Sequence, residues 1–93
     1  MKKKFGQNFL RNKEIIDEII NVAEIDENSI VYEIGPGDGA LTKEIIKKNP
    51  KKFLSVEIDL SLKDQLSSLF VKKEHSIIFT DALKFDETSH FVG

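Results

Sequence analysis

Ninety-three residues and 10.6 kDa make one small domain, and 40% hydrophobic with 32% charged residues is the balance of a globular chain. A chain this short buries only a little over ~60% of its unfolded surface, so its core is modest. Cysteine is absent, which excludes disulfide staples, thiolate zinc sites and cysteine nucleophiles, and apolar runs such as Ile77-Ile78-Phe79 are too short to span a membrane.

The net charge of −2 is unevenly spread: residues 1–13 carry Lys2, Lys3, Lys4, Arg11 and Lys13 with no acid, and the other residues carry an excess of acid. A basic arm on an acidic body suits contact with phosphates, although a frayed, solubilising terminus has the same composition. No apolar stretch follows Met1-Lys2-Lys3-Lys4-Phe5, so the arm is not a secretory signal. All basic residues except Arg11 are lysines. Lysine attracts phosphate as a point charge and lacks the fork that reads base edges.

In chain order, Asn12 can cap a helix over 13–24, with Ile15, Ile16, Ile19, Ile20 and Ala23 at helical spacing. Asp26-Glu27-Asn28 reads as a turn. Ser29 to Ile34 is β-branched and aromatic, a first strand, and it runs into Gly35-Pro36-Gly37-Asp38-Gly39. A helix over 40–48 follows and stops at Asn49-Pro50. Phe53 to Ile58 is a second strand. Ser61-Leu62-Lys63-Asp64 has the form of a capping box for a helix striped by Leu62, Leu66, Leu69 and Phe70. Ser76 to Thr80 is a third strand, followed by Asp81-Ala82-Leu83 and a polar tail through His90 that reads as loop. Strand–helix–strand–helix–strand with short links predicts a parallel sheet with right-handed crossovers, half of a doubly wound α/β fold behind a leading helix.

In such sheets the ligand sits beyond the carboxyl ends of the strands. Gly35, Gly37 and Gly39 let the backbone turn sharply and approach a ligand closely. Glu57 lies where an acidic side chain accepts from ribose hydroxyls, and Asp81 lies at the next strand end, where a carboxylate can receive an amino group. The spacing G-x-G-x-G differs from the usual dinucleotide loop, and Asp38 would repel a pyrophosphate. Acids without a nearby Lys or Arg favour a cationic nucleoside, S-adenosylmethionine. The bland readings are a ligand-free turn, a solvated Glu57, and an Asp81 that only caps a turn. Glu33, within the first strand, reads as a loop brace. His75 and His90 have no ligand-like spacing and read as surface residues, so no metal is expected.

Phe5-Gly6-Gln7-Asn8-Phe9-Leu10, with Glu33-Ile34-Gly35-Pro36-Gly37-Asp38-Gly39-Ala40-Leu41-Thr42, closely resembles one family. It is that of the small-subunit rRNA adenine N6,N6-dimethyltransferases and the related erythromycin-resistance methyltransferases. The resemblance continues through Val56-Glu57-Ile58-Asp59 and Thr80-Asp81-Ala82-Leu83. It implies a Rossmann-like class I methyltransferase fold, S-adenosyl-L-methionine as cofactor, small-subunit rRNA or a ribosomal particle as partner, and a cytoplasmic location. It also implies that Asn8 and Leu10 close over the cofactor, that Gly35 and Gly37 pass beneath its methionine end, and that Glu57 holds the ribose and Asp81 the adenine amino group. On this reading residues 1–12 are a basic, cofactor-closing arm and 13–93 a partial cofactor-binding domain.

The family's Asn-Leu-Pro-Tyr/Phe segment, which seats the target adenine, has no match here, where the only prolines are Pro36 and Pro50. The expectation is an N-terminal portion that is inactive alone, with no catalytic residue of its own. Its first strand would then show an open edge with Ile30, Tyr32 and Ile34, prone to self-association. A non-catalytic cofactor- or RNA-binding module and, more remotely, a nicotinamide-dependent oxidoreductase fragment are the alternatives.

Overall fold

The computed structural model describes residues 12–84; Asn8, Leu10, His90 and the tail after Lys84 lie outside the described residues. Helix α1 (Lys13–Ala23) begins where the Oδ1 of Asn12 accepts from the backbone N–H of Glu14 at 2.9 Å and Ile15 at 3.2 Å, and it ends one residue before the expected boundary, at a left-handed Glu24. Strand β1 (Ile30–Ile34), helix α2 (Ala40–Lys47), strand β2 (Lys52–Glu57), a 3-10 turn (Leu60–Leu62), helix α3 (Lys63–Ser67), strand β3 (His75–Phe79) and a second 3-10 turn (Ala82–Lys84) follow.

The strands form a parallel sheet of order β1-β2-β3, with Val31 opposite Phe53 and Phe53 opposite His75. This is the expected α/β half-fold. The central strand β2 is buried from Phe53 to Glu57. Ile16 and Ile20 of α1 and Ile45 of α2 pack with Phe53, whose ring lies 5.6 Å from that of Phe70. Each such side chain removed from water contributes about 1.5–3 kcal/mol.

Three expectations need correction. Strands β2 and β3 each run one residue earlier than the β-branched pattern suggested. Lys52 is drawn into the ladder by donating to the Ser29 carbonyl at 3.2 Å, and Phe53 by donating to Glu74 at 3.1 Å. At the far end the Glu57 carboxylate accepts from the Asp59 N–H at 2.9 Å and turns the chain away, leaving Ile58 exposed. The capping box is not formed either. Asp59 caps the preceding 3-10 turn instead, accepting from the Ser61 N–H at 3.0 Å and its hydroxyl at 2.7 Å, and α3 starts at Lys63 behind Leu62, which supplies no side-chain cap. His75, finally, is not a surface residue. It is buried edge-on to Phe53, with its Nε2 3.1 Å from the Pro50 carbonyl oxygen, because β3 begins where that ring can seal the bottom of the core.

Candidate functional site

The loop after β1 starts as an extension of the ladder, the Gly35 N–H donating to the Val56 carbonyl at 2.8 Å. Gly35 has φ +72°, and the space a Cβ would occupy there has no atom within 4 Å. The loop then closes through Gly39, whose N–H donates to the Pro36 carbonyl at 2.9 Å and whose carbonyl accepts from Lys43 at 2.9 Å to start α2. Gly39 has φ +88°, and a Cβ there would meet Leu69 Cδ1 at 2.9 Å. Two demands therefore explain two glycines: open approach at Gly35, tight packing at Gly39. Asp38 closes the helix start by accepting from the Ala40 N–H at 3.1 Å.

Glu57 is buried at the tip of β2 and faces the loop. Its Oε1 accepts from the Gly37 N–H at 3.3 Å across two strand ends, and its Oε2 accepts from Asp59. Its backbone carbonyl accepts from the Thr80 N–H at 3.0 Å, which seats the third tip alongside. There Asp81 is half-buried, and its Oδ1 accepts from the Leu83 N–H at 2.9 Å, capping the last 3-10 turn. The turn-capping reading of Asp81 is thus real. So Gly35, Gly37 and Glu57 meet at one place and Asp81 stands on the neighbouring tip, whereas Asn8 and Leu10 lie outside the described residues.

Beneath the loop, Glu33 is a brace, as its position in the strand suggested. One oxygen accepts from Thr42 Oγ1 of α2 at 2.7 Å and from Ser55 Oγ of β2 at 2.9 Å. The other oxygen is buried with no partner among the described residues. Burial pushes its carboxyl above the ordinary value of 4.5, the two hydroxyls pull it back, and the charge of Glu57 adds to the rise.

Sequence reasoning missed Thr42 and Ser55, although a serine in the middle of a buried central strand demands a partner and was a usable signal. It also missed Ile58 and Leu60, which are 62% and 67% exposed beside Glu57. The tips 35–39, 57–62 and 80–83 hold Asp38, Glu57, Asp59 and Asp81 and neither lysine nor arginine. Such a surface suits a cation with hydroxyl and amino donors and repels phosphate. Among the described residues no group of side chains could hold a metal ion, and no helix is long and apolar enough to cross a membrane.

A sequence profile described as ribosomal RNA adenine dimethylase matches residues 1–92. The chain is 47% identical over 87 residues to a protein of Fusobacterium nucleatum named ribosomal RNA small subunit methyltransferase A, covering 91% of this chain and 33% of that one. It therefore spans about a third of the length of that relative. Among solved structures, a dimethyladenosine transferase from Plasmodium falciparum superposes with a TM-score of 0.73 at 29% identity, covering 82% of this chain and 28% of that one. The 23S rRNA methyltransferase ErmE superposes with a TM-score of 0.70 at 30% identity, over 82% of this chain and 31% of that one.

Proposed function

The chain belongs to the ribosomal RNA adenine dimethylase family, and from that premise we propose that it is the cofactor-binding portion of an S-adenosyl-L-methionine-dependent enzyme. The proposed reaction dimethylates adenine N6 in small-subunit rRNA, in the cytoplasm, as part of ribosome assembly. The observation that carries this reading is the closure of the Glu57 carboxylate onto the Gly37 amide, which brings the acid and the glycine loop into one cradle.

The residues fit the cofactor. Open space above Gly35 admits a methionine end close to the backbone, and the acidic tips suit a sulfonium and an ammonium. The group, when bound, supplies a methyl on positively charged sulfur. Glu57 accepts from the ribose hydroxyls by giving up its longer bond, that to Gly37 at 3.3 Å, while the 2.9 Å bond from Asp59 holds its rotamer. Asp81 receives the adenine amino group with the oxygen that does not cap Leu83. Ile58 offers the purine an apolar face. Residues 1–12 form the arm through which Asn8 and Leu10 close the site, and 13–93 form the remainder of this partial domain. The partners are small-subunit rRNA and, through the exposed apolar side chains of β1, a second copy of the chain.

Calorimetric titration with S-adenosylhomocysteine tests the cradle. Glu57→Ala and the shape-preserving Glu57→Gln should each weaken binding by at least about tenfold, since each loses a charged acceptor worth about 1.5–3 kcal/mol. Chemical denaturation run in parallel separates lost binding from lost folding. Undiminished affinity in a folded variant, or tighter binding of NAD than of S-adenosylhomocysteine by the wild type, overturns the proposal.

A further inference from the structure

The end of the sheet opposite the glycine loop is acidic where β1 enters it, at Glu24, Asp26 and Glu27, and carries the reverse charge where β2 and β3 enter. Strands β2 and β3 pair in parallel with Phe53 opposite His75, so the turns that precede them lie side by side. Those turns read Lys47-Lys48-Asn49-Pro50-Lys51-Lys52 and Val71-Lys72-Lys73-Glu74, six lysines against one acid. They are fastened together: Lys72 Nζ donates to Asn49 Oδ1 at 2.5 Å, the buried His75 ring meets the Pro50 carbonyl, and the His75 N–H donates to the Lys72 carbonyl at 3.1 Å. Lys47 is engaged by Glu44 at 3.1 Å. Lys48, Lys51, Lys72 and Lys73 are exposed, and among the described residues none has a carboxylate within ion-pair distance.

We propose that this amino-end surface, centred on Lys48, Lys51, Lys72 and Lys73, is a docking site for the sugar-phosphate backbone of a folded RNA. The inference rests on the reading of RNA as the partner and adds where it is gripped. Four ammonium groups on two braced turns repel one another, and a chain of phosphates relieves that repulsion while releasing its counterions. No arginine and no exposed aromatic ring accompanies them in the two turns, so the surface positions the RNA and does not read its bases. The acidic strand tips repel phosphate, so an RNA whose base enters there needs its backbone held elsewhere. Five residue steps of β-strand, roughly 17 Å, separate the two ends. A folded RNA bridges that distance, and a short oligonucleotide seated at the tips does not.

The test is fluorescence anisotropy of the chain with a labelled small-subunit rRNA hairpin fragment across a salt series. Replacing Lys48, Lys51, Lys72 and Lys73 together by glutamine should weaken binding at least about tenfold at low salt and flatten the log–log salt slope by about 3. The same replacement at Lys43, Lys63 and Lys84, exposed lysines outside the two turns and the basic arm, should have a much smaller effect per charge removed. S-adenosylhomocysteine titration should be unchanged in both variants. Equal losses per charge in the two variants, an unaltered slope, or binding of phosphatidylserine vesicles in place of RNA overturns the inference. If the hairpin result is negative while S-adenosylhomocysteine still binds, the docking surface fails and the cofactor reading stands; loss of cofactor binding in the wild type fails that reading on its own.

Discussion

Glu33 is the residue at which burial and ionisation collide. Its pKa is raised in the folded chain, so folding favours the protonated form. The stability this group contributes is complete below the unfolded value of 4.5 and is lost as pH climbs through the higher folded value. Glu33→Gln keeps an acceptor for Thr42 and Ser55 and has no proton to lose. Urea midpoints measured between about pH 4 and 8 should therefore show the variant gaining on the wild type as pH rises; parallel curves would mean that Glu33 ionises alike in both states. Gly39 and Gly35 separate just as sharply. Gly39→Ala meets left-handed strain of about 1–2 kcal/mol and a further 1–3 kcal/mol of overpacking against Leu69 and Leu66. Gly35→Ala meets only the strain, so chemical denaturation should rank it the milder change. It should nonetheless reduce S-adenosylhomocysteine affinity, because its methyl fills the space above the loop. The sequence located these glycines and the two tip acids, since spacing along strand ends is a local property. It did not distinguish one glycine from another, because the leucines that do so arrive from α3 and the turn after it, far along the chain.

At the scale of elements, caps that act within three residues were readable and those that depend on a turn's path were not. Asn12 capped α1 as its position suggested, and Asn12→Ala should cost about 1 kcal/mol in chemical denaturation, with the loss confined to the unfolding free energy and no change in cofactor affinity. A loss of affinity at constant stability would instead tie Asn12 to the site. The capping box at Ser61 failed for a reason that begins with Glu57. Its carboxylate takes the Asp59 N–H, that bond bends the chain out of the ladder, and Asp59 is then the first side chain able to reach the orphan amide of Ser61. An acid at a strand tip thereby set the boundary of two elements, which no propensity for strand or helix encodes. His75 was misread for a related reason. Polarity suggested solvent, while the packing of Phe53 and the carbonyl of Pro50 gave the ring an apolar face and a polar partner inside.

Across the whole molecule the parallel sheet acts as a partition. Acids gather at the carboxyl tips and lysines at the amino ends of β2 and β3, an arrangement that the net charge of −2 conceals. The partition is complete in depth at β2 and incomplete at β1, an edge of the described sheet, where Ile30, Tyr32 and Ile34 remain 56%, 43% and 63% exposed. Three neighbouring apolar side chains on one strand of a 93-residue chain form a patch that water disfavours and a second copy can cover. Sedimentation should accordingly show a weight-average mass that rises with concentration. Ile30→Lys and Ile34→Lys together should return the chain to a monomer, because two ammonium groups brought opposite their own copies repel. Both positions are already solvated, so the double variant should keep its unfolding free energy to within about 0.5 kcal/mol. A wild type that sediments as a monomer at every concentration would remove β1 as an interface. A double variant that associates as strongly as the wild type would move the contact to another face.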